Sequence, residues 1–147
     1  MVLATDKWPR MRLDKGLQVG SKGGHGTIKY FVSEYHPDDH IKFQFTLKGF
    51  AGFHEFRLTE TDADNTEIRH TIIMRTEGKT TLKWAFVIRY LHDAFIEDAF
   101  NNIENHFSAE QKVSNYNWWV RFLKRRIHVK KTNSEKINYP KYADSKN

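Results

Sequence analysis

The chain has 147 residues, 39% hydrophobic, 14% aromatic and 29% charged, a size and balance that fit one globular core and exclude a disordered or fibrous chain. It contains no cysteine, which excludes a disulfide framework, a thiolate zinc site and a cysteine nucleophile, and which suits a reducing compartment. The net charge of +6 is unevenly placed: residues 1–107 hold 14 Lys and Arg against 15 Asp and Glu, whereas residues 108–147 hold 10 against 3, so an electrostatic partner is expected at the C-terminal end.

The first residues, MVLATDKWPRMR, offer no apolar run of signal-peptide type, and no window approaches the roughly 18 apolar residues of a spanning helix. A cytoplasmic location is expected. Residues 1–27 include Gly16, Gly20, Gly23, Gly24 and Gly26, too many breakers for a long helix, and read as mostly irregular. Lys22-Gly23-Gly24-His25-Gly26 lacks the spacing of a phosphate loop and reads as a turn.

Ile28 to Tyr35 is β-branched and aromatic, and His36-Pro37-Asp38-Asp39 supplies the next turn. From His40 to Leu47 the residues alternate, with Ile41, Phe43, Phe45 and Leu47 on one face, which predicts a strand. A third strand places His54, Phe56 and Leu58 on its apolar face, and Asp62 to Asn65 closes a hairpin. A fourth presents Ile68, His70, Ile72 and Met74. After Glu77-Gly78-Lys79 a fifth strand is expected, with Leu82, Trp84, Phe86 and Ile88 on its buried side. Short turns imply antiparallel pairing.

The apolar period then lengthens. Leu91, Phe95, Ala99, Ile103 and Phe107, widened by Ile96 and Phe100, predict an amphipathic helix with Asp93 as its cap and Glu97 and Asp98 in its first turns. Beyond Ser108, Tyr116, Trp119, Val120, Leu123 and Ile127 recur at helical spacing among Arg121, Lys124, Arg125, Arg126, Lys130 and Lys131. This is a basic amphipathic helix, followed from Asn133 by a polar, frayed end.

His54 and His70 lie on apolar faces, and His92 at the junction into the long helix. In a cavity wall such histidines are satisfied polar points; as a converging set they would suit a metal. No metal or cofactor is expected, because no HxH or HxxxH pair lies within one element of the body. Glu55 and Glu97 read as solvated, and there is no GxSxG elbow for acyl chemistry. The inward aromatics exceed what a sheet and one helix need to close, so a ligand cavity is expected, walled by Phe43, Phe45, Phe56, Ile72, Trp84, Phe86, Phe95 and Phe100, with His54 and His70 orienting a polar group. The basic helix would pack on its own body, lie on an anionic membrane through Trp118, Trp119, Arg121, Lys124 and Arg125, or bind nucleic acid electrostatically; peripheral membrane contact is the partner expected over nucleic acid.

Gly26-Thr27-Ile28-Lys29-Tyr30, Tyr35-His36-Pro37, Gly52-Phe53-His54-Glu55-Phe56, Trp84 and Leu91-His92-Asp93-Ala94 together resemble the START/polyketide-cyclase superfamily over residues 8 to 107. The resemblance implies an α+β helix-grip fold: a curved antiparallel sheet of five to six strands gripping one long helix, with an apolar ligand between them. Residues 1–107 would form that domain and residues 108–147 the basic amphipathic tail. The family begins with a strand and two short helices, and here only about 27 residues precede Ile28, Trp8-Pro9 matching the end of the second helix. A shortened start, an open cup or a homodimer closing that side would account for it. The expected function is binding of a lipid, polyketide or isoprenoid-like molecule; the alternative is a cyclase or dehydratase with His54 or His70 as general base.

Overall fold

The computed structural model describes residues 8, 9 and 11–135, with side chains as far as Arg126. The chain divides into two compact units, Met1–Ser114 and Asn115–Asn147.

The first unit is an α+β fold, a curved, unclosed antiparallel sheet of six strands followed by a long helix. The strands are β1 (Arg12–Leu13), β2 (Lys22–His25), β3 (Ile28–His36), β4 (His40–Phe45), β5 (Phe50–Glu60) and β6 (Thr66–Thr76), each paired with its neighbour in chain order. Alternation decides their faces. Ile41 and Phe43 of β4 and His54 and Phe56 of β5 point inward, joining Tyr30 and Val32 of β3 in a buried cluster. Burying a side chain such as Phe43 contributes about 2–3 kcal/mol. A bulge where Val32 pairs with Phe43 but Glu34 with Lys42 inserts one residue, so Tyr35 rejoins the inner face instead of following Val32 by even steps.

Most of the described Gly-rich start is turn and bend, as expected, but Lys22 to His25 is not a turn. Lys22–His25 is a strand between β1 and β3, and Gly26-Thr27 forms the two-residue turn into Ile28, with Gly26 at φ +59°. Glycine is required here by close approach: a Cβ on Gly23 would lie 1.8 Å from the Arg12 carbonyl oxygen, and one on Gly24, at φ +154°, 2.0 Å from that of Ile28. Asp14 holds the preceding loop, its carboxylate accepting from the Ser21 hydroxyl at 3.0 Å and the Lys22 amide at 2.7 Å.

The expected fifth strand is helical. Helix α1 covers residues 79–107 as a turn at Lys79–Lys83, a π-helical turn at Trp84–Ile88 and the α-helical run Arg89–Phe107. Trp84 and Ile88 satisfy both an alternating period and an i, i+4 stripe, so they misled the alternation; Leu82 and Phe86, expected inside, are 62% and 60% exposed. The helix starts after Gly78 at φ +57°, so Asp93 is not its cap. Asp93 is an exposed residue of its interior, and Asp98 is buried there. The Asp98 carboxylate accepts from the buried Trp8 indole at 2.6 Å, tying the N-terminal segment to the helix. Ile96 and Phe100 pack on the sheet's buried cluster.

In the second unit, helix α2 (Trp118–Glu135) is capped by Asn117, whose side-chain oxygen accepts from the Val120 amide at 2.9 Å. Lys124 sits over the Tyr116 ring at 4.1 Å. Ile127, Lys130 and Lys131 lie beyond the described side chains, and the end expected to fray is, past Glu135, outside the described residues.

Candidate functional site

Four histidines from four elements meet between sheet and helix: His25 on β2, His54 on β5, His70 on β6 and His92 on α1. Register brings the first pair of neighbours together. His54 stands opposite Phe43 on β4 and Ile72 on β6, and Phe56 stands opposite His70, so His54 and His70 are diagonal neighbours on one face. Their Nδ1 and Nε2 lie 3.4 Å apart. The His54 ring is stacked against Phe43 and Phe45, centroids 4.8 and 5.4 Å away. The helix adds His92, whose ring is 5.0 Å from that of His70 and 6.1 Å from Trp84. His25 meets Phe95 at 5.2 Å, and its Nδ1 is 3.2 Å from the Tyr30 hydroxyl.

Burial sets the electrostatics. It pushes His25 down to about 4 and His70 down to about 3, each further disfavoured as a cation by His92. It takes His54 well below the usual imidazole range, reinforced by His70, His92 and His25. His92 is lowered by burial and partly restored by its hydrogen bond to Asp93. The Tyr30 phenol is raised by burial. At neutral pH the cluster is therefore four uncharged imidazoles. Two of their nitrogens, His54 Nε2 and His92 Nε2, are buried with no hydrogen-bond partner. Among the described residues no three His, Asp or Glu side chains are arranged to hold a metal ion.

Three of the four, His25, His54 and His92, line a cavity of about 1080 Å³. Tyr30 and His36 both line it and are six residues apart on β3, a span of about 20 Å. Among the residues with described side chains, six of seven histidines face it (His25, His36, His40, His54, His92 and His106), whereas no Lys or Arg does, and its carboxylates are Asp38 and Asp39 at the β3–β4 turn. A second hole of about 20 Å³ shares His25, Tyr30, His54 and His92 with it.

Of the wall expected from the sequence, Phe43, His54, Phe56 and Phe95 line the large cavity, and Phe45 and Trp84 line the small hole. His70 touches the rings of His54, Phe56 and His92. Ile72 is paired opposite His54 and Phe100 packs on the core, neither lining either of these two cavities. Phe86 leaves the wall because the helix turns it to solvent. Glu55 is on the outer face, bonded to Arg57 at 3.1 Å and Lys42 at 3.6 Å, and Glu97 is exposed. His25 and Tyr30 were not expected in the site. The signal for them was the hairpin His25-Gly26-Thr27-Ile28, which puts His25 on a strand rather than in a turn.

The chain matches no protein-family model, no curated protein and no solved structure. No described helix is long and apolar enough to cross a membrane.

Proposed function

We propose that the protein binds a hydrophobic small molecule, of lipid, polyketide or isoprenoid type, between its sheet and its long helix. The observation that carries this reading is the cavity of about 1080 Å³, lined mainly by aromatic and aliphatic side chains, by histidines of which His25, His54 and His92 are disfavoured as cations by burial, by Asp38 and Asp39 at one turn and, among the described residues, by no Lys or Arg. That is the make-up of a site for an apolar ligand with few polar points. The sequence resemblance to the START/polyketide-cyclase superfamily supports it, since a helix gripped by a curved sheet is the arrangement the resemblance implies. A buried alkyl chain gains about 0.8 kcal/mol per methylene, enough to offset the cost of association for a chain of ten or more carbons.

Native mass spectrometry of protein from a cell extract, together with Nile red titration of delipidated protein, tests the proposal. A co-purifying apolar ligand and saturable one-to-one dye binding are expected. Absence of both refutes it. A cyclase or dehydratase with His54 or His70 as general base is supported less, because burial leaves both imidazoles weak bases near neutral pH. His54→Ala and His70→Ala abolish turnover with affinity kept if that rival holds.

A second reading concerns the C-terminal unit, for which we propose peripheral contact with anionic membrane. Its support is Trp118, 76% exposed, and Phe122, 42% exposed, beside the exposed Arg121 and Arg125, since basic residues contribute about 1 kcal/mol each near such a surface. Co-sedimentation with phosphatidylserine vesicles, lost in ~0.5 M salt and after truncation beyond Ser114, is the expected result. Retention by the truncated protein refutes it.

A further inference from the structure

We propose that the polar end of the ligand is a single hydroxyl group seated between His54 and His92, so that the site selects alcohols or phenols over carboxylates, phosphates and ethers. This rests on the binding function proposed above and specifies its ligand class.

Size comes first. The hole of about 20 Å³ is lined by both His54 and His92, and that volume admits one water-sized group. One oxygen fits, but the two or more oxygens of a carboxylate or phosphate head do not. Charge agrees with size. No Lys or Arg lines either cavity among the described residues, so an ionised head would be desolvated without a counter-charge.

Hydrogen bonding then separates a hydroxyl from an ether or ester. His54 is 6% exposed, and its Nε2, like that of His92, is buried without a partner. The Nδ1 of His92 lies 3.3 Å from a carboxylate oxygen of Asp93, which can only accept, so Nδ1 carries the proton. In a neutral ring Nε2 is then the acceptor. Whatever oxygen reaches His92 must therefore bring a hydrogen, which an ether, ester or ketone cannot. His54 completes the arrangement. Its Nδ1 lies 3.4 Å from His70 Nε2, and either ring can supply the hydrogen between them; with that hydrogen on His70, the other nitrogen of His54 carries its proton and Nε2–H is left to donate. A hydroxyl donates to His92 and accepts from His54 with one oxygen, satisfying both buried nitrogens.

The test is displacement of Nile red from the full-length protein at pH 7.5 by four twelve-carbon compounds: 1-dodecanol, dodecyl methyl ether, dodecanoate and dodecyl phosphate. Dodecanol is expected to bind at least tenfold more tightly than each of the others, the discrimination that one buried hydrogen bond provides. In His92→Phe the alcohol falls to the level of the ether while the ether is unchanged. Because wild-type protein alone supplies the first comparison, a poorly folding variant does not remove the test. Equal affinity for alcohol and ether, as a resident water in the hole would give, overturns the hydroxyl proposal and leaves the binding function standing, as does tighter binding of dodecanoate. Failure of all four compounds and of the dye overturns both.

Discussion

Lowering the pH from 7.5 to 5.5 is expected to remove about 3 kcal/mol of folding stability through His25 and His70 alone. Both are held neutral by burial, at about 4 and about 3, whereas in the unfolded chain an imidazole titrates near about 6.5. A base whose folded pKa is depressed binds more protons when unfolded, so its contribution is fully present above about pH 6.5 and is lost as the pH falls toward the folded value. Over this interval each ring protonates in the unfolded chain and stays neutral in the folded one, a loss of about 1.3 kcal/mol per ring. His54 and His92 act in the same direction, Asp93 opposing part of the effect at His92. Asp14, Glu34, Asp39 and Asp62 are all lowered by their hydrogen bonds. Their contribution is lost only below about pH 4.5, so the chosen window isolates the histidines. In urea unfolding, with a slope of about 2 kcal/mol per molar, the midpoint should fall by about 1.5 M between pH 7.5 and 5.5. His70→Phe should roughly halve the part due to His25 and His70. A midpoint that is flat or rises on acidification refutes the assignment of these rings as buried and neutral.

Three further outcomes follow from particular contacts. Phe86→Glu should change the thermal midpoint little, since the ring is exposed, whereas Phe43→Ala, at 1% exposure, should cost about 3–5 kcal/mol; a larger loss at Phe86 than at Phe43 contradicts the helical assignment of that segment. Gly24→Ala should cost more than Gly20→Ala, because both are strained at positive φ, by about 1–3 kcal/mol, but the added Cβ meets the Ile28 carbonyl oxygen at 2.0 Å in one and nothing within 4 Å in the other; equal melting temperatures speak against β2 as a paired strand. Trp8→Phe removes the indole donor from the buried Asp98 carboxylate and should cost about 1.5–3 kcal/mol in chemical denaturation, an effect that would vanish if this segment did not dock on the helix.

The middle of the sheet could be read directly from the chain, because a strand with one buried face must alternate. Ile41, Phe43 and Phe45, then His54 and Phe56, then His70, Ile72 and Met74 declare their faces without reference to any partner. The long helix from Leu91 onward was equally legible from its four-residue repeat. The segment before it was not: Trp84 and Ile88 fit a strand and a helix alike, and the difference shows only in the folded unit, where Leu82 and Phe86 remain largely exposed. Gly23 and Gly24 read as breakers because their local preference is for turns, while their actual constraint is the approach of neighbouring strands, which no local pattern reports. The histidines show the same division. Local alternation placed His54 and His70 on the inner face, but His25 and His92 joined them only through the β2–β3 pairing and the packing of the helix across the sheet. The resulting neutrality of four imidazoles belongs to no residue singly, because desolvation and mutual repulsion exist only once tertiary structure has removed the water between them.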